Sequence, residues 1–442
     1  MLAHQEVELR HELLERLASA RTHTDHLFAQ VRPDSLYERP IPERHRIVFY
    51  IGHLEAFDWN LLRDRAMGLR ALHPEFDRLF AFGIDPVDGG LPADQPQDWP
   101  AMADVRHYVE RTRKTLDDGL TRLLSAGSAT QQEFPLGQLL QVAIEHRLMH
   151  AETLAYMLHQ LALERKVRPQ LRPELVARPV TPSMVEIPAG RATLGLRRDG
   201  DVFGWDNEFE EHNVDVPAFA IDKYEVTNAE FLAFVAAGGY EAPDLWTPED
   251  WNWRTERNLA HPGFWRRHGD VWFVRTMFEE IPLPLDWPVY VSQAEARAYA
   301  RWAGKQLPTE AEWQRAAYGT PDGSECMYPW GNESPSSRRG NFDFERWDPT
   351  PVGAFPEGNS AFGVADLAGN GWEWTSTPFS PFPGFEAFPF YRGYSAEFFD
   401  NKHFVMKGGS PRTAACMLRR SFRNWFQPHY PHVYAGFRCV SH

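Results

Sequence analysis

The chain has 442 residues, more than one ordinary hydrophobic core organises, so two domains are expected. Its formal net charge of −15 argues against nucleic acid as a partner, because neutralising phosphates takes clustered Lys and Arg, and Arg419, Arg420 and Arg423 are too few to reverse the balance. Three cysteines, Cys326, Cys416 and Cys439, make no disulfide framework, and no apolar leader or membrane-length run is visible, so a cytoplasmic protein with no membrane partner is expected.

Helical periodicity dominates the first third. Residues 6–31, 45–69, 99–125 and 131–164 read as four long helices, joined by connections such as the Pro- and Gly-containing stretch 84–100, which predicts a four-helix bundle over residues 1–165. Pro169, Pro173, Pro179 and Pro182 then disfavour helix and predict an extended linker, taken as residues 166–184. From 185 to 442 Gly, Pro and Trp become dense and apolar runs shorten. Helical periodicity there survives chiefly at 228–237 and 292–304, behind Thr227 and Ser292, with Glu295 completing a capping box. The fold class expected is α+β multidomain.

Within the fourth helical run stands Glu145-His146-Arg147-Leu148-Met149-His150-Ala151-Glu152. Four helical residues advance about 400°, so His146 and His150 project the same way from adjacent turns and can close on one metal ion. On a core-facing helix two imidazoles are costly unless something satisfies them, although such pairs also arise by chance. His53, inside the apolar and aromatic run 49–59, is the candidate third ligand; alone, a His in such a run is more often a satisfied core residue. Three neutral imidazoles suit Fe(II), Zn(II), Cu or Ni and leave coordination positions open, as catalytic sites do.

Six blocks carry a resemblance for the second half: Ile187-Pro188-Ala189-Gly190, Tyr224-Glu225-Val226-Thr227-Asn228, residues 302–313 (WAGKQLPTEAEW), Gly369-Asn370-Gly371-Trp372-Glu373-Trp374-Thr375, Gly408-Gly409-Ser410 and Gly436-Phe437-Arg438. In this order they resemble the formylglycine-generating-enzyme, or sulfatase-modifying-factor, fold, an irregular α+β domain of the C-type-lectin-like kind. The first half, with its H-x-x-x-H-x-E and its isolated upstream His, resembles a DinB-type four-helix bundle. The combination resembles the ergothioneine synthase family of nonheme iron enzymes over nearly the whole chain.

That resemblance implies Fe(II) held by His53, His146 and His150 at the junction of the two domains. It implies hercynine (trimethylated histidine) and a thiol donor as substrates, O2 as oxidant, and a carbon-sulfur bond at the imidazole as product; a related branch makes the carbon-selenium bond of selenoneine from a selenosugar. Arg423-Asn424-Trp425 matches the family segment whose Asn and Trp help hold hercynine, the amide by hydrogen bonds and the aromatic face by cation-π attraction; both residues could equally be packing a loop. Tyr391-Arg392-Gly393-Tyr394-Ser395 resembles the family stretch whose tyrosine supplies a proton or electron, with Tyr391 and Tyr394 both candidates.

Two departures bear on the donor. Members using gamma-glutamylcysteine carry Asp where this chain has Phe426, and Gln where it has Met149. Loss of the Asp removes a charged partner for an amino group, which leaves cysteine or a selenosugar, the selenosugar being the leading expectation. The turn at residues 80–86 and Arg106 on the following helical pattern are further donor-side candidates, although Arg106 also reads as a solvated residue. Glu152 reads as a ligand-steering or an exposed residue, Asp366, Asn370 and Glu373 as Ca2+ ligands or turn-pinning groups, and Cys416 and Cys439 as buried packing residues. Two other classes remain: a metal-dependent thiol transferase of the DinB superfamily, and a non-catalytic binding module.

Overall fold

Apolar residues at three- and four-residue spacing build the first of two compact units, Met1–Pro169 and Gln170–His442. The computed structural model describes residues 2–83, 91–125, 134–176, 179–200 and 202–442. In the first unit lie α1 (Leu2–Ala29), α2 (Ile47–Leu62), α3 (Pro74–Phe82), α4 (Met102–Ser125) and α5 (Leu136–Gln160). α5 packs on α1 and α2, α4 packs on α2, and α3 lies against α2. The four expected long helices are present with shifted ends. The run expected at 45–69 stops as an α-helix at Leu62, continues as a π-type turn over Arg63–Met67 and closes at Gly68 with φ 58°. The run expected at 131–164 occupies Leu136–Gln160, residues 131–133 lying outside those described. α3 was not expected. It is short, starts on Pro74, and is capped by His73, whose Nδ1 accepts the Phe76 N–H at 3.2 Å.

Charge inside this unit is concentrated at Arg147, fully buried on α5. Its guanidinium donates to Asp58 at 2.6 Å, to Glu55 at 2.9 Å and to the Leu54 carbonyl at 2.9 Å, all on α2. Arg113 of α4 reaches the same Glu55 oxygen at 2.7 Å and holds Asp25 of α1 at 2.7 Å through two nitrogens. Burial pushes the Glu55 carboxyl up, but the neighbouring Arg147 and Arg113 outweigh it and hold it down to about 2. Four helices are therefore joined through one charge network.

The second unit is made of short elements: β1 (Met184–Ile187), β2 (Gly190–Leu194), β3 (His212–Val216), β4 (Phe219–Asp222), α6 (Asn228–Ala236), α7 (Pro248–Glu256), β5 (Trp265–His268), β6 (Val271–Arg275), β7 (Glu280–Pro282), α8 (Gln293–Trp302), α9 (Glu310–Tyr318), β8 (Gly371–Pro378), β9 (Phe404–Gly409), β10 (Asn424–Phe426), β11 (Ala435–Gly436) and β12 (Val440–Ser441). They form sheets ordered β1-β4-β12, β10-β9-β8-β11, β2-β3 and β5-β6-β7. The expected capping boxes close at Thr227 with Glu230 and at Ser292 with Glu295; a third, Thr309 with Glu312, starts α9. α7 and α9 add to the two helices anticipated. Between residues 167 and 176 there is neither helix nor strand.

Motif blocks meet in this core. Glu373 of β8 pairs through both oxygens with buried Arg438 at 2.6 Å and accepts the Trp313 indole N–H at 2.8 Å. Asp366 accepts the Gly353 N–H at 2.6 Å, and the Asn370 carboxamide accepts from the Thr350 N–H at 2.8 Å and donates to its carbonyl at 3.0 Å. Asp366 and Asn370 thus pin turns, whereas Glu373 lies on a strand and is paired with Arg438. Cys439 is buried as expected, whereas Cys416 is partly exposed, because the short 3₁₀ turn Ala415–Met417 carries it toward the surface. Among the described residues no helix is long and apolar enough to cross a membrane.

Replacing Arg147 by Met would leave the Glu55 and Asp58 carboxylates buried with less compensation. Removing one partner of a buried ion pair costs about 3–5 kcal/mol, so guanidinium unfolding of the helical unit should show a loss of that order. A loss below about 1 kcal/mol would mean that the network is not what joins the helices.

Candidate metal centre

His146 and His150 stand one turn apart on α5, and His53 faces them from α2. The three imidazoles offer ligand nitrogens that all lie within 4.8 Å of one another. Ring centroids are 4.5 Å apart for His146 and His150, 4.9 Å for His53 and His150, and 5.4 Å for His53 and His146. Phe57 stacks on His146 at 3.4 Å and 10°, and Phe49 on His53 at 4.7 Å and 25°. Among the described residues this is the group of carboxylate, thiol or imidazole side chains spaced to hold a metal ion.

The orientation of His53 has an identifiable cause. Its Nδ1 lies 2.7 Å from the Phe80 carbonyl of α3. A carbonyl only accepts, so Nδ1 carries the hydrogen and Nε2 keeps its lone pair for a ligand. α3 reaches this position because residue 52 is glycine: a Cβ there would lie 2.3 Å from the ring of Phe80, which is itself fully buried. A glycine one residue before a candidate ligand in an aromatic helix was the available sequence signal, and its meaning needs the unexpected helix. Phe80 thus belongs beneath His53 in the core, correcting its expected place in a donor-side turn; Ile84, Asp85 and Pro86 of that turn lie outside the described residues.

All three imidazoles are held neutral. Burial, followed by the charge of surrounding residues, pushes His146 and His150 well below the ordinary histidine value, and burial lowers His53 to about 4 despite its carbonyl partner. The Nδ1 atom of His150 is buried with no hydrogen-bond partner among the described residues. Neutral nitrogens, one of them orphaned in an aromatic enclosure, fit a borderline divalent transition-metal ion and do not fit Ca2+ or Mg2+, which take oxygen ligands. Met149 is half-buried just before His150, Glu152 is buried one turn after Leu148, and Arg106 is exposed on α4, consistent with its solvated reading.

In the second unit Asn424, Trp425 and Phe426 form β10, and each is half-buried. Trp425 stacks on Phe379 at 4.2 Å and 6° and meets Tyr394 edge-on at 5.4 Å. Tyr394 stacks on Trp205 at 4.0 Å, with Tyr391 5.7 Å away. The structure therefore brings Tyr391, Tyr394 and Trp425 into one aromatic group, together with Trp205 and Phe379, which lack any periodic signal in sequence. Asp206 holds the tyrosine stretch by accepting the Ser395 hydroxyl at 2.7 Å, and burial with Asp206 nearby pushes Tyr391 up to about 12. Arg423 touches this group only from behind, its guanidinium lying 4.9 Å over the ring of Phe379. It is buried against Glu310 at 2.9 Å, the Ser380 carbonyl at 3.0 Å and the face of Phe382, and so braces β10 from within.

Residues 171–442 match the family model of the sulfatase-modifying factor enzyme 1-like domain, and residues 16–154 that of the DinB superfamily. The chain is 36% identical to a protein named hercynine oxygenase from Mycolicibacterium smegmatis, over 98% of this chain and 99% of that one. The chain belongs to the hercynine oxygenase family. Another hercynine oxygenase, from Mycolicibacterium thermoresistibile, is 38% identical over 76% of this chain and 74% of its own. Ergothioneine biosynthesis protein 1 of Neurospora crassa is 30% identical over 92% of this chain, which spans 55% of that longer protein. As a member of the hercynine oxygenase family the protein is an oxidoreductase, with the DinB and sulfatase-modifying-factor domains expected from its motifs.

Two outcomes follow from the geometry. Gly52→Ala improves intrinsic helix propensity by about 1 kcal/mol, yet it must displace Phe80 and with it the carbonyl that orients His53. Metal affinity should fall roughly 10- to 100-fold with all three ligands intact, as measured by competition with a chromophoric chelator; unchanged affinity would sink the orienting role. In metal-free protein the unfolded histidines bind protons near the ordinary value of 6.5, while folded His53 resists until about 4. The unfolded state then holds more protons, so stability is full above that ordinary value and is lost as pH falls through this window. Chelator-treated protein should show a falling denaturant midpoint between pH 7 and 5, with a shallower slope in His146→Gln.

Proposed function

We propose that this chain uses Fe(II), held by His53, His146 and His150, together with O2 to join a sulfur or selenium donor to the imidazole of hercynine. The observation that supports this reading is the convergence of three neutral imidazoles within 4.8 Å, in a chain similar over 98% of its length to a hercynine oxygenase. Bound there, Fe(II) supplies the electrons and open coordination positions that O2 chemistry needs and that no side chain here provides.

The chain's own residues then bind and orient. Trp425 presents an aromatic face to the trimethylammonium of hercynine, an attraction of about 0.5–2 kcal/mol, and the Asn424 carboxamide hydrogen-bonds its carboxylate or imidazole. Tyr391, whose pKa is pushed up to about 12, stays protonated at neutral pH and gives up its proton only to a strongly basic oxygen; Tyr394, packed between Trp205 and Trp425, is the second candidate donor.

For the donor we favour a selenosugar. Phe426 stands where an Asp would pair with the amino group of gamma-glutamylcysteine, and it stacks on Tyr430 at 5.3 Å and 9°. Such a rim suits a neutral, ring-shaped donor and offers no carboxylate to an ammonium group; Met149, in place of Gln, likewise offers no amide. Cysteine is the competing donor, since relatives carry names from ergothioneine biosynthesis.

The test is an aerobic assay of the Fe(II)-loaded protein with hercynine, offering a selenosugar, cysteine and gamma-glutamylcysteine in parallel, with mass spectrometry and an anaerobic control. A selenium adduct formed only with the selenosugar supports the donor assignment, while a sulfoxide adduct with cysteine replaces it by the ergothioneine-type reaction. No oxygen-dependent adduct with any donor would overturn the oxidative reading in favour of a transferase or a binding module. His146→Ala should lose both bound iron and turnover, and retention of wild-type activity would remove it from the ligand set.

A further inference from the structure

The segment that follows β10 carries a feature that hercynine binding and metal binding leave unexplained. Phe426 and Tyr430 stack although the chain turns between them, with the Tyr430 N–H donating to the Gln427 carbonyl at 3.2 Å. The Pro428 carbonyl accepts the N–H of Ala294 at the start of α8 at 3.1 Å. His429 is the next residue. Its Nε2 lies 2.8 Å from Oδ1 of Asp250 on α7, and its ring lies face to face with Trp253 of the same helix at 4.8 Å and 11°. A carboxylate only accepts, so Nε2 carries the hydrogen.

Asp250 is a demanding anchor. Only 1% of it is exposed, and its other partners are the Arg297 guanidinium of α8, which reaches both oxygens at 2.7 and 2.9 Å, and the Thr247 hydroxyl that accepts the Asp250 N–H at 3.2 Å. A buried carboxylate keeps its donors in a narrow range of positions, because displacing one leaves the charge under-compensated. The loop residue His429 is thus fixed against two helices from a position between Phe426 and its stacking partner. A histidine that merely filled surface space on Trp253 would need no buried charge to aim at.

We propose that His429 is a positioning residue for the donor: held by Asp250, it fixes the turn that places Tyr430 on Phe426, and so sets the shape of the aromatic rim that selects a neutral ring-shaped donor over an amino-acid one. This rests on the reading that Phe426 faces the donor. Hercynine, assigned to Asn424 and Trp425 two residues and one residue earlier on β10, is held by residues whose positions the strand itself fixes.

The experiment is steady-state kinetics of the full Fe(II)-loaded chain with hercynine and the selenosugar, or with cysteine if only that donor reacts. His429→Phe keeps a ring over Trp253 and removes the hydrogen bond, whereas His429→Gln keeps a donor within reach of Asp250. The expected result is a donor KM raised roughly tenfold in His429→Phe, with the KM for hercynine and the thermal midpoint little changed, and recovery of most of the effect in His429→Gln. Unchanged donor KM would overturn the inference, as would both KM values rising together with a falling midpoint, which marks a residue that only holds the fold. Phe426→Ala is measured beside them. If it leaves donor KM unchanged, the donor-side reading of Phe426 is what fails; if it responds while His429→Phe is silent, the reading stands and His429 has no part in it.

Discussion

Between α2 and α5, Arg147 is enclosed with Glu55 and Asp58, and the placing of the three clustered histidines follows from that enclosure. Charges removed from water tolerate little displacement from one another, since any gap costs solvation that nothing returns. Arg147 follows His146 directly, and Glu55 lies two residues after His53. Neighbouring helical residues differ by about 100° around the axis, so fixing the charged side of each helix fixes the rotation that turns its histidine toward the other. Arg113 extends the same constraint to α4 and α1 through Glu55 and Asp25. The polar network and the imidazole cluster are two sides of one helix pair.

How much of this was legible in sequence depends on the distance over which each signal acts. His146 and His150 could be read because a helix converts a four-residue spacing into a common direction without help from the rest of the chain. His53 could be read only as a companion to that pair. The hydrogen bond that selects its tautomer could not, because it comes from α3, nine residues whose helical pattern is too short to stand out and whose approach depends on the absence of a side chain at Gly52. Local rules likewise located the capping boxes at Thr227 and Ser292, while helix ends moved by a few residues where packing outweighed periodicity.

In the second unit the motif blocks identified the domain more readily than they identified roles. Glu373 and Arg438 come from blocks 65 residues apart and meet as a buried pair whose remaining hydrogen bonds go to the Trp313 indole and to backbone carbonyls. Arg423 belongs to a segment associated with substrate, yet its charge is turned inward to Glu310. Sequence shows that a charged residue is present and not whether another charge has already claimed it. Trp205 was illegible for a related reason: it lies in an irregular stretch, and its importance comes from a stack with Tyr394, 189 positions away.

The carbonyl that orients His53 is one of the last in α3, where a helix has acceptors without internal donors and the negative end of its dipole. Gly83, at φ 75°, stops the helix immediately beyond Phe82. A longer α3 would turn that oxygen inward to its own backbone and withdraw it from the imidazole. The point at which one short helix ends therefore acts as an electronic setting for an imidazole on another helix: the partial negative charge on the Phe80 carbonyl makes the far nitrogen of His53 a stronger base. With the same three histidines in place, the length of this helix alone changes how strongly that nitrogen binds a proton or a cation.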